Sequence, residues 1–364
     1  MVCYNRFKGE SEMKRLFNII LSVLLLIVFS GCTAQDNVSN APIETDSQSV
    51  ISEEISSGAS VDSISSEPES SEAVSSKEES TAPVSSEPQS APSSTEPVSR
   101  PVISTPPATS TNVGKYIVND PENTRGLSNV KSGFSFGVAK DGMPNSISVN
   151  NQAKFDSMSN IDALALDTVS TDRRMYLTFD CGYEYKNLTG NILDTLREKN
   201  VKAAFFVTLS YIKSNPQFVR RMIDEGHIVG NHSATHPVFP EISRTKMAEE
   251  LYLVDEYLQN NFGYTSRYFR FPAGENSENS LELVTSLGYK SIFWSLAYAD
   301  YDTSKQVGYN EALQTVTSRF HPGAVILLHA VSQDNADTLP AVIDIAREQG
   351  YTFKTLDDYY NSLS

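Results

Sequence analysis

From Met175 to the end of the chain, short apolar runs alternate with amphipathic segments of helical period. The apolar runs have the length of buried strands, and a glycine follows several of the helical segments. This alternation, repeated about six or seven times, predicts a parallel sheet covered by helices, either open or closed as a barrel.

The predicted strands span 175–180, 203–208, 228–231, 268–270, 291–294 and 324–328, with a last short strand near Phe353. The predicted helices span 188–199, 216–225, 243–263, 280–287, 311–320 and 338–349. We therefore place the main folded domain at 171–364. Residues 115–170 lack this rhythm and are expected to be an irregular segment that leads into the domain or wraps around it.

Residues 32–114 are predicted to be a disordered tether rich in Ser, Glu and Pro. From Asp36 to Gly114 there are 13 acidic residues against only Lys77 and Arg100, together with 23 serines and no aromatic residue. Such a segment cannot bury enough apolar surface to offset the entropy lost on ordering. The rest of the chain is acidic as well and has no Lys/Arg cluster, which argues against nucleic acid as a partner.

The N-terminus has the pattern of an export signal, assigned to residues 1–31. The basic pair Lys14-Arg15 precedes an apolar run from Leu16 to Phe29, which is shorter than the roughly 20 residues of a membrane span. Small residues before Cys32 resemble a bacterial lipobox, so we expect Cys32 to be lipidated and the protein to be held outside the cell membrane. A secretory signal with an incidental cysteine and an uncleaved anchor are the alternatives.

Chemically active side chains follow five of the predicted strands, at the edge where parallel sheets place their sites. In chain order these residues are Asp180 to Tyr183, His232 and His236, Arg270 with Pro272, Trp294 with Asp300 and Tyr301, and His329. Each residue taken singly is more typical of a cap, a turn, an ion pair or a satisfied core histidine. Polar residues at the ends of five of these strands, taken together, predict a site.

These residue types are suited to metal-assisted hydrolysis of an amide or ester. Two neutral imidazoles, His232 and His236, suit a divalent metal that activates water. Asp180 can accept the proton of that water, with Arg270 holding the carboxylate ionised, and His329 can protonate the leaving amine. The candidate substrate-binding residues are Tyr183, Pro272, Trp294, Asp300 and Tyr301. Of these, Trp294 and Tyr301 offer flat aromatic faces for a sugar ring.

Five motifs in order and spacing resemble those of the polysaccharide deacetylases, the NodB-homology domains of carbohydrate esterase family 4. They are Thr178–Gly182, Asn231–Pro237, Arg270–Gly274, Trp294–Tyr301 and Leu327–His329. The resemblance covers about residues 172–360 and implies a distorted (β/α) barrel of about seven strands. It also implies metal-dependent removal of acetyl groups, with Asp180 as base, His232 and His236 on the metal, Arg270 supporting the base and His329 as acid.

The chain departs from the usual family pattern at Cys181, where most members have a metal-binding aspartate. A thiolate there would give a Cys-His-His set for Zn²⁺, with Co²⁺, Mn²⁺ or Ni²⁺ as other metals; the alternative is a cysteine that only fills space. The similarity is greatest to the delta-lactam-biosynthetic branch, through Gly182-Tyr183-Glu184 and Leu327 to Asn335. That branch acts on N-acetylmuramic acid residues of peptidoglycan.

The sequence therefore predicts a deacetylase of cell-wall glycan, with N-acetylmuramoyl residues as the first choice of substrate. The alternatives are a deacetylase of N-acetylglucosamine or of another surface polysaccharide, and a non-catalytic lipoprotein that binds wall glycan through the same groove.

Overall fold

The computed structural model describes residues 109–364. The predicted signal peptide, the lipidation site Cys32 and the tether up to residue 108 lie outside the described residues. Between 109 and 364, no helix combines the length and the apolar character needed to cross a membrane.

The described residues alternate strands and helices from β4 onward. The strands are β1 (Ser110–Val113), β2 (Tyr116–Asn119), β3 (Ala163–Leu164), β4 (Arg174–Cys181), β5 (Ala204–Val207), β6 (Ile228–Asn231), β7 (Tyr268–Phe269), β8 (Lys290–Ile292), β9 (Ala324–His329) and β10 (Thr352–Lys354). The helices are α1 (Ser146–Asp156), α2 (Leu188–Glu198), α3 (Leu209–Ser214), α4 (Pro216–Asp224), α5 (Arg244–Phe262), α6 (Glu278–Ser286), α7 (Tyr309–Thr317), α8 (Gln333–Glu348) and α9 (Leu356–Asn361).

The strands β3 to β10 form one parallel sheet in the order β10-β4-β5-β6-β7-β8-β3, with β9 also paired to β4. Leu296, just past β8, makes a parallel bridge to Ile326 in β9. Because β9 also pairs with β4, this bridge connects the β8 end of the sheet to β4 through β9. The prediction of a distorted (β/α) barrel of about seven strands is therefore confirmed; the described sheet has eight strands when the two-residue strand β3 is counted.

The long helix α5 shows how the sequence specifies these elements. The Ser243 side chain accepts a hydrogen bond from the Lys246 amide at 3.2 Å and so caps the start of the helix. Gly263 ends it in the left-handed conformation, at φ 65°. The helix buries one face, which includes Met247, Leu251, Val254 and Leu258.

Three local expectations differ from the structure. Helix α8 begins at Gln333 rather than at residue 338, because the Ser332 side chain accepts from the Asn335 amide at 3.2 Å and caps an earlier first turn. The lead-in segment is not wholly irregular: it contains part of the β1–β2 hairpin, the helix α1 and the strand β3, which pairs with β8. β1 also includes residues 110–113, which the sequence assigned to the tether.

The lead-in segment packs on the barrel through aromatic side chains. The rings of Phe134 and Phe155 stack on Phe293, with centroids 4.6 and 5.0 Å away. Phe134 also meets Trp294 edge-on at 5.1 Å. Aromatic pairs of this kind stabilise beyond their buried area by about 0.5–1.5 kcal/mol each. The segment before residue 171 therefore contributes to the same core as the barrel.

Candidate active site

The predicted site residues line a cavity of about 880 Å³ at the carboxyl ends of the parallel strands. Its walls include Asp180, His232, His236, Trp294, Tyr301 and His329. Residues from β4, β6, β9 and the segment after β8 thus meet in one place, as the topology of a parallel sheet requires.

Asp180 and Arg270 form a buried ion pair at the centre of the cavity. The Arg270 Nη1 donates to Asp180 Oδ1 at 2.8 Å, and its Nη2 donates to Thr178 Oγ1 at 2.9 Å. Burial raises the pKa of Asp180, but the charge and hydrogen bond of Arg270, together with the nearby His232 and His329, outweigh it, so the net pKa of Asp180 is lowered. Asp180 is therefore ionised at neutral pH and can accept a proton.

His232 and His236 present two neutral imidazoles beside this carboxylate. His232 Nδ1 lies 2.8 Å from the Arg270 carbonyl oxygen, which places the ring proton on Nδ1 and leaves Nε2 as the free acceptor. That Nε2 is 3.6 Å from Asp180 Oδ2. Burial lowers the pKa of His232 to about 4 and also lowers the pKa of His236.

The loop between the two histidines is held by three side chains. Asn231 Oδ1 accepts from the Ser233 amide at 2.9 Å, and Ser233 Oγ accepts from the His236 amide at 3.0 Å. Glu250, fully buried on α5, accepts from the Thr235 amide at 2.7 Å and from its hydroxyl at 2.9 Å. Ser233 and His236 have positive φ angles of 67° and 60°, so these bonds maintain an unfavourable backbone conformation. Sequence reasoning missed Glu250, whose contact to this loop is not visible from spacing.

His329 lies opposite Asp180 on the neighbouring strand, since the two are paired in the register of β4 and β9. Its Nδ1 lies 2.7 Å from Asp300 Oδ1, so Nε2 is left facing the cavity. Burial lowers the pKa of His329, but the hydrogen bond and charge of Asp300 outweigh it and the net pKa is raised. His329 is therefore suited to donate a proton.

Asp300 was expected to contact substrate, and its position corrects this. Its carboxylate is fully buried and is absent from the cavity wall. Oδ2 accepts from the His329 amide at 2.8 Å and from Asn335 Nδ2 at 2.5 Å. Asp300 therefore positions His329 instead of reaching a sugar.

Cys181 was expected to join the two histidines as a metal ligand, and the structure places it elsewhere. Asp180 lines the cavity, whereas Cys181 is absent from its wall. Cys181 is fully buried in an apolar cluster with Leu188, Ile192 and Val207. Burial raises the pKa of its thiol well above the ordinary value, and the charge of Asp180 raises it further. These features support the alternative of a space-filling cysteine.

Pro272 also lies outside the cavity wall, although it too was expected to contact substrate. It begins a short 3₁₀ turn, Pro272–Gly274, whose last two residues line the cavity instead. Gly274 has a φ of +68°, and a Cβ there would lie 2.8 Å from a Trp294 ring carbon. The turn therefore brings the backbone of Gly274 close to the Trp294 ring, where a side chain would not fit.

Trp294, Tyr183 and Tyr301 do line the cavity, as expected. Tyr183 and Tyr301 are 52% and 62% exposed, which places them at its rim. Sequence reasoning missed Phe136, Tyr298 and Arg319, which also line it. Phe136 comes from the lead-in segment, whose sequence lacks the alternation of apolar runs and helical segments.

Comparison with known proteins agrees with this geometry. The profile of the polysaccharide deacetylase family matches residues 168–292. The chain is 42% identical to the peptidoglycan-N-acetylmuramic acid deacetylase PdaA of Bacillus subtilis (strain 168), over 51% of this chain and 71% of that protein. The chain belongs to the polysaccharide deacetylase family.

Two further comparisons support membership in this family. The solved structure of Bacillus subtilis PdaA, a family 4 carbohydrate esterase, superposes with a TM-score of 0.61 at 36% identity, covering 65% of this chain and 100% of that one. A peptidoglycan-N-acetylglucosamine deacetylase of Bacillus cereus is 31% identical over 51% of this chain and 68% of its own length. As a polysaccharide deacetylase, the chain is a hydrolase of carbon–nitrogen bonds other than peptide bonds.

The residues of this deacetylase fit the divalent metal that its family resemblance implies. Both imidazoles are neutral, and the orientation of His232 is fixed through its second nitrogen, as is usual for metal-binding histidines. Among residues 109–364, no group of three or more His, Cys, Asp or Glu side chains is placed to hold a metal. His232 and His236 are therefore the two residues that would hold the metal.

Proposed function

We propose that this deacetylase removes N-acetyl groups from N-acetylmuramoyl residues of peptidoglycan, using a divalent metal held by His232 and His236. The observation that carries the proposal is the pairing of Asp180 and His329 on adjacent strands, one bound to Arg270 and the other to Asp300. Amide hydrolysis needs a base and an acid that reach the same bond, and both residues line one cavity.

Each residue has a defined part in this proposal. Asp180 accepts the proton of the attacking water, and Arg270 keeps Asp180 ionised before that transfer. His329 donates a proton from Nε2 to the departing amine. His232 and His236 would hold the metal, which when bound lowers the pKa of water and polarises the acetyl carbonyl.

Zn²⁺ is the first choice of metal, because two imidazoles and open positions suit it. Co²⁺, Mn²⁺ and Ni²⁺ are the other candidates. Imidazole nitrogens also bind Co²⁺ and Ni²⁺, and the donor set alone does not exclude Mn²⁺.

Support for a glycan substrate comes from the cavity wall. Trp294, Tyr183 and Tyr301 offer ring faces at the cavity and its rim. Aromatic side chains combine a large apolar surface with a polar edge, which suits a sugar ring. The muramic acid residue is preferred because the relative at 42% identity is named for it. N-acetylglucosamine is the second choice, since the relative at 31% identity is named for that sugar.

We further propose that the protein acts outside the cell membrane, anchored through a lipidated Cys32. The anchor would keep the domain near the cell wall, and an acidic tether of about 80 residues would span roughly 50 Å or more. A secreted, unanchored form is the alternative.

The test is acetate release by the full-length chain from peptidoglycan strands with and without stem peptides, after chelation and after Zn²⁺ is returned. We expect release that is lost on chelation, regained with Zn²⁺ and faster on stem-free strands. Saturable glycan binding without acetate release under any metal would instead establish a non-catalytic wall-binding protein. Release only from N-acetylglucosamine polymers would establish the second substrate.

A further inference from the structure

Arg319 lines the same cavity as Asp180 and His329, although it precedes β9 and lies far from the strand ends in sequence. Its Nη1 donates to the Ala297 carbonyl oxygen at 2.6 Å. Within the part of the chain that the structure describes, no acidic side chain forms an ion pair with it. The guanidinium has five N–H donors in a planar fork, and this one carbonyl uses only part of that capacity.

The other charged groups of the cavity are already paired. Asp180 is balanced by Arg270, and the charge of His329 is balanced by the buried Asp300. Arg319 is therefore a cationic side chain of the cavity wall that pairs with no acidic side chain among the described residues. A cavity of this kind favours a substrate that brings a negative group.

The two candidate sugars differ in such a group. N-acetylmuramic acid is N-acetylglucosamine carrying a lactyl ether, and the lactyl carboxylate is free once the stem peptide has been removed. In a strand that bears its stem peptide, the same carboxyl is an amide and has no charge. Arginine binds carboxylates through two parallel N–H···O bonds, which gives geometric selectivity as well as energy.

We propose that Arg319 binds the free lactyl carboxylate of N-acetylmuramoyl residues and so selects stem-free strands. This inference rests on the proposed function, because it concerns the substrate of the same cavity. The Ala297 carbonyl holds one edge of the guanidinium, and the other edge is available to the carboxylate. The role is substrate binding, separate from the proton transfers of Asp180 and His329.

The experiment compares the wild-type full-length chain and Arg319→Gln on stem-free strands with free or methyl-esterified lactyl groups. We expect Arg319→Gln to lower kcat/KM for the free strands by roughly 10- to 100-fold, mostly through KM, because a charged hydrogen bond is lost. Esterification should lower the wild-type value by a similar factor and should leave the variant almost unchanged. Arg319→Lys, which keeps the charge but not the fork, should recover part of the loss.

Arg347→Gln is the matched control. Arg347 also donates to a backbone carbonyl, that of Lys199 at 2.6 Å, but it lies outside the cavity wall. We expect this variant to match the wild type on both strands. A loss in Arg319→Gln that is equal on free and esterified strands, or no loss at all, would overturn the proposal. An equal loss on stem-bearing strands would also overturn it and would point to a peptide carboxylate as the ligand.

Binding affinity measured with the same proteins and strands separates this inference from the proposed function. Carboxylate-dependent binding that needs Arg319, without acetate release, would reject the proposed function and support the inference. Acetate release at the same rate in the wild type and in Arg319→Gln would support the proposed function and reject the inference.

Discussion

Asp300 holds His329 by both oxygens of one buried carboxylate: Oδ1 lies 2.7 Å from Nδ1, and Oδ2 accepts from the His329 backbone amide at 2.8 Å. The two bonds fix the ring's position and the nitrogen that carries the proton toward Asp300. They leave Nε2 for the cavity, so the acidity of His329 depends on a residue that does not touch the substrate.

Asp300→Asn should therefore shift the alkaline limb of the pH–rate profile to lower pH. Asp300 raises the pKa of His329, so protonated His329 persists above the ordinary histidine value of about 6.5 and is lost only as the pH rises through the raised value. Removing the charge lowers that pKa, and kcat/KM should fall at pH 8 more than at pH 6. If the alkaline limb stays in place and kcat/KM falls by the same factor at every pH, another group is the acid.

Cys181→Ala should keep the bound metal and most of the acetate-releasing activity. The thiol faces an apolar cluster away from the two histidines, so the cost should be one of packing, about 1 kcal/mol in the free energy of unfolding. His236→Ala is the comparison variant, and we expect it to lose the metal. Zn²⁺ titration of both variants checks this; weaker Zn²⁺ binding in Cys181→Ala would restore cysteine as a ligand.

The orientation of Cys181 could not be predicted from the sequence. The family resemblance implies a metal ligand at this position, directly after the base Asp180, so strand alternation alone does not decide which way the side chain faces. The gathering of Asp180, His232, Arg270 and His329 could be predicted because parallel strands end at one edge.

Other contributions to the site could not be predicted in this way. Asp300 meets its partner across 29 residues, and Phe136 and Arg319 reach the cavity from segments that are not strand ends. Their positions depend on how loops pack, which neither periodicity nor motif spacing encodes.

Tyr116→Phe should lower the stability of the domain without changing metal affinity. Tyr116, in the hairpin strand β2, donates to the buried carboxylate of Asp255 on α5, which also accepts from Tyr289 and pairs with Lys115. Losing one donor to a buried carboxylate should cost about 1–3 kcal/mol in the free energy of unfolding. Unfolding by denaturant measures this loss, which should appear as a lower midpoint with an unchanged m-value.

Tyr289→Phe should have a second effect that Tyr116→Phe lacks. The Tyr289 hydroxyl accepts from Asn231 Nδ2 at 2.9 Å, and Asn231 Oδ1 holds the loop that carries His232 and His236. We therefore expect weaker Zn²⁺ binding as well as lower stability. Equal Zn²⁺ affinity in the two variants would show that this bond does not position the loop.

Asp180→Asn should abolish acetate release while the fold survives. Asparagine keeps an oxygen for Arg270 but cannot accept the proton of water at neutral pH, so we expect a rate loss of roughly 100- to 10,000-fold. Arg270→Lys is the structural contrast, because lysine cannot replace the guanidinium bonds to Thr178, Ile292 and Phe293. It should lower the free energy of unfolding by about 1–3 kcal/mol as well as the rate, because buried acceptors lose their hydrogen-bond donor. Acetate assays paired with thermal unfolding distinguish the two, and retained activity in Asp180→Asn would overturn its assignment as the base.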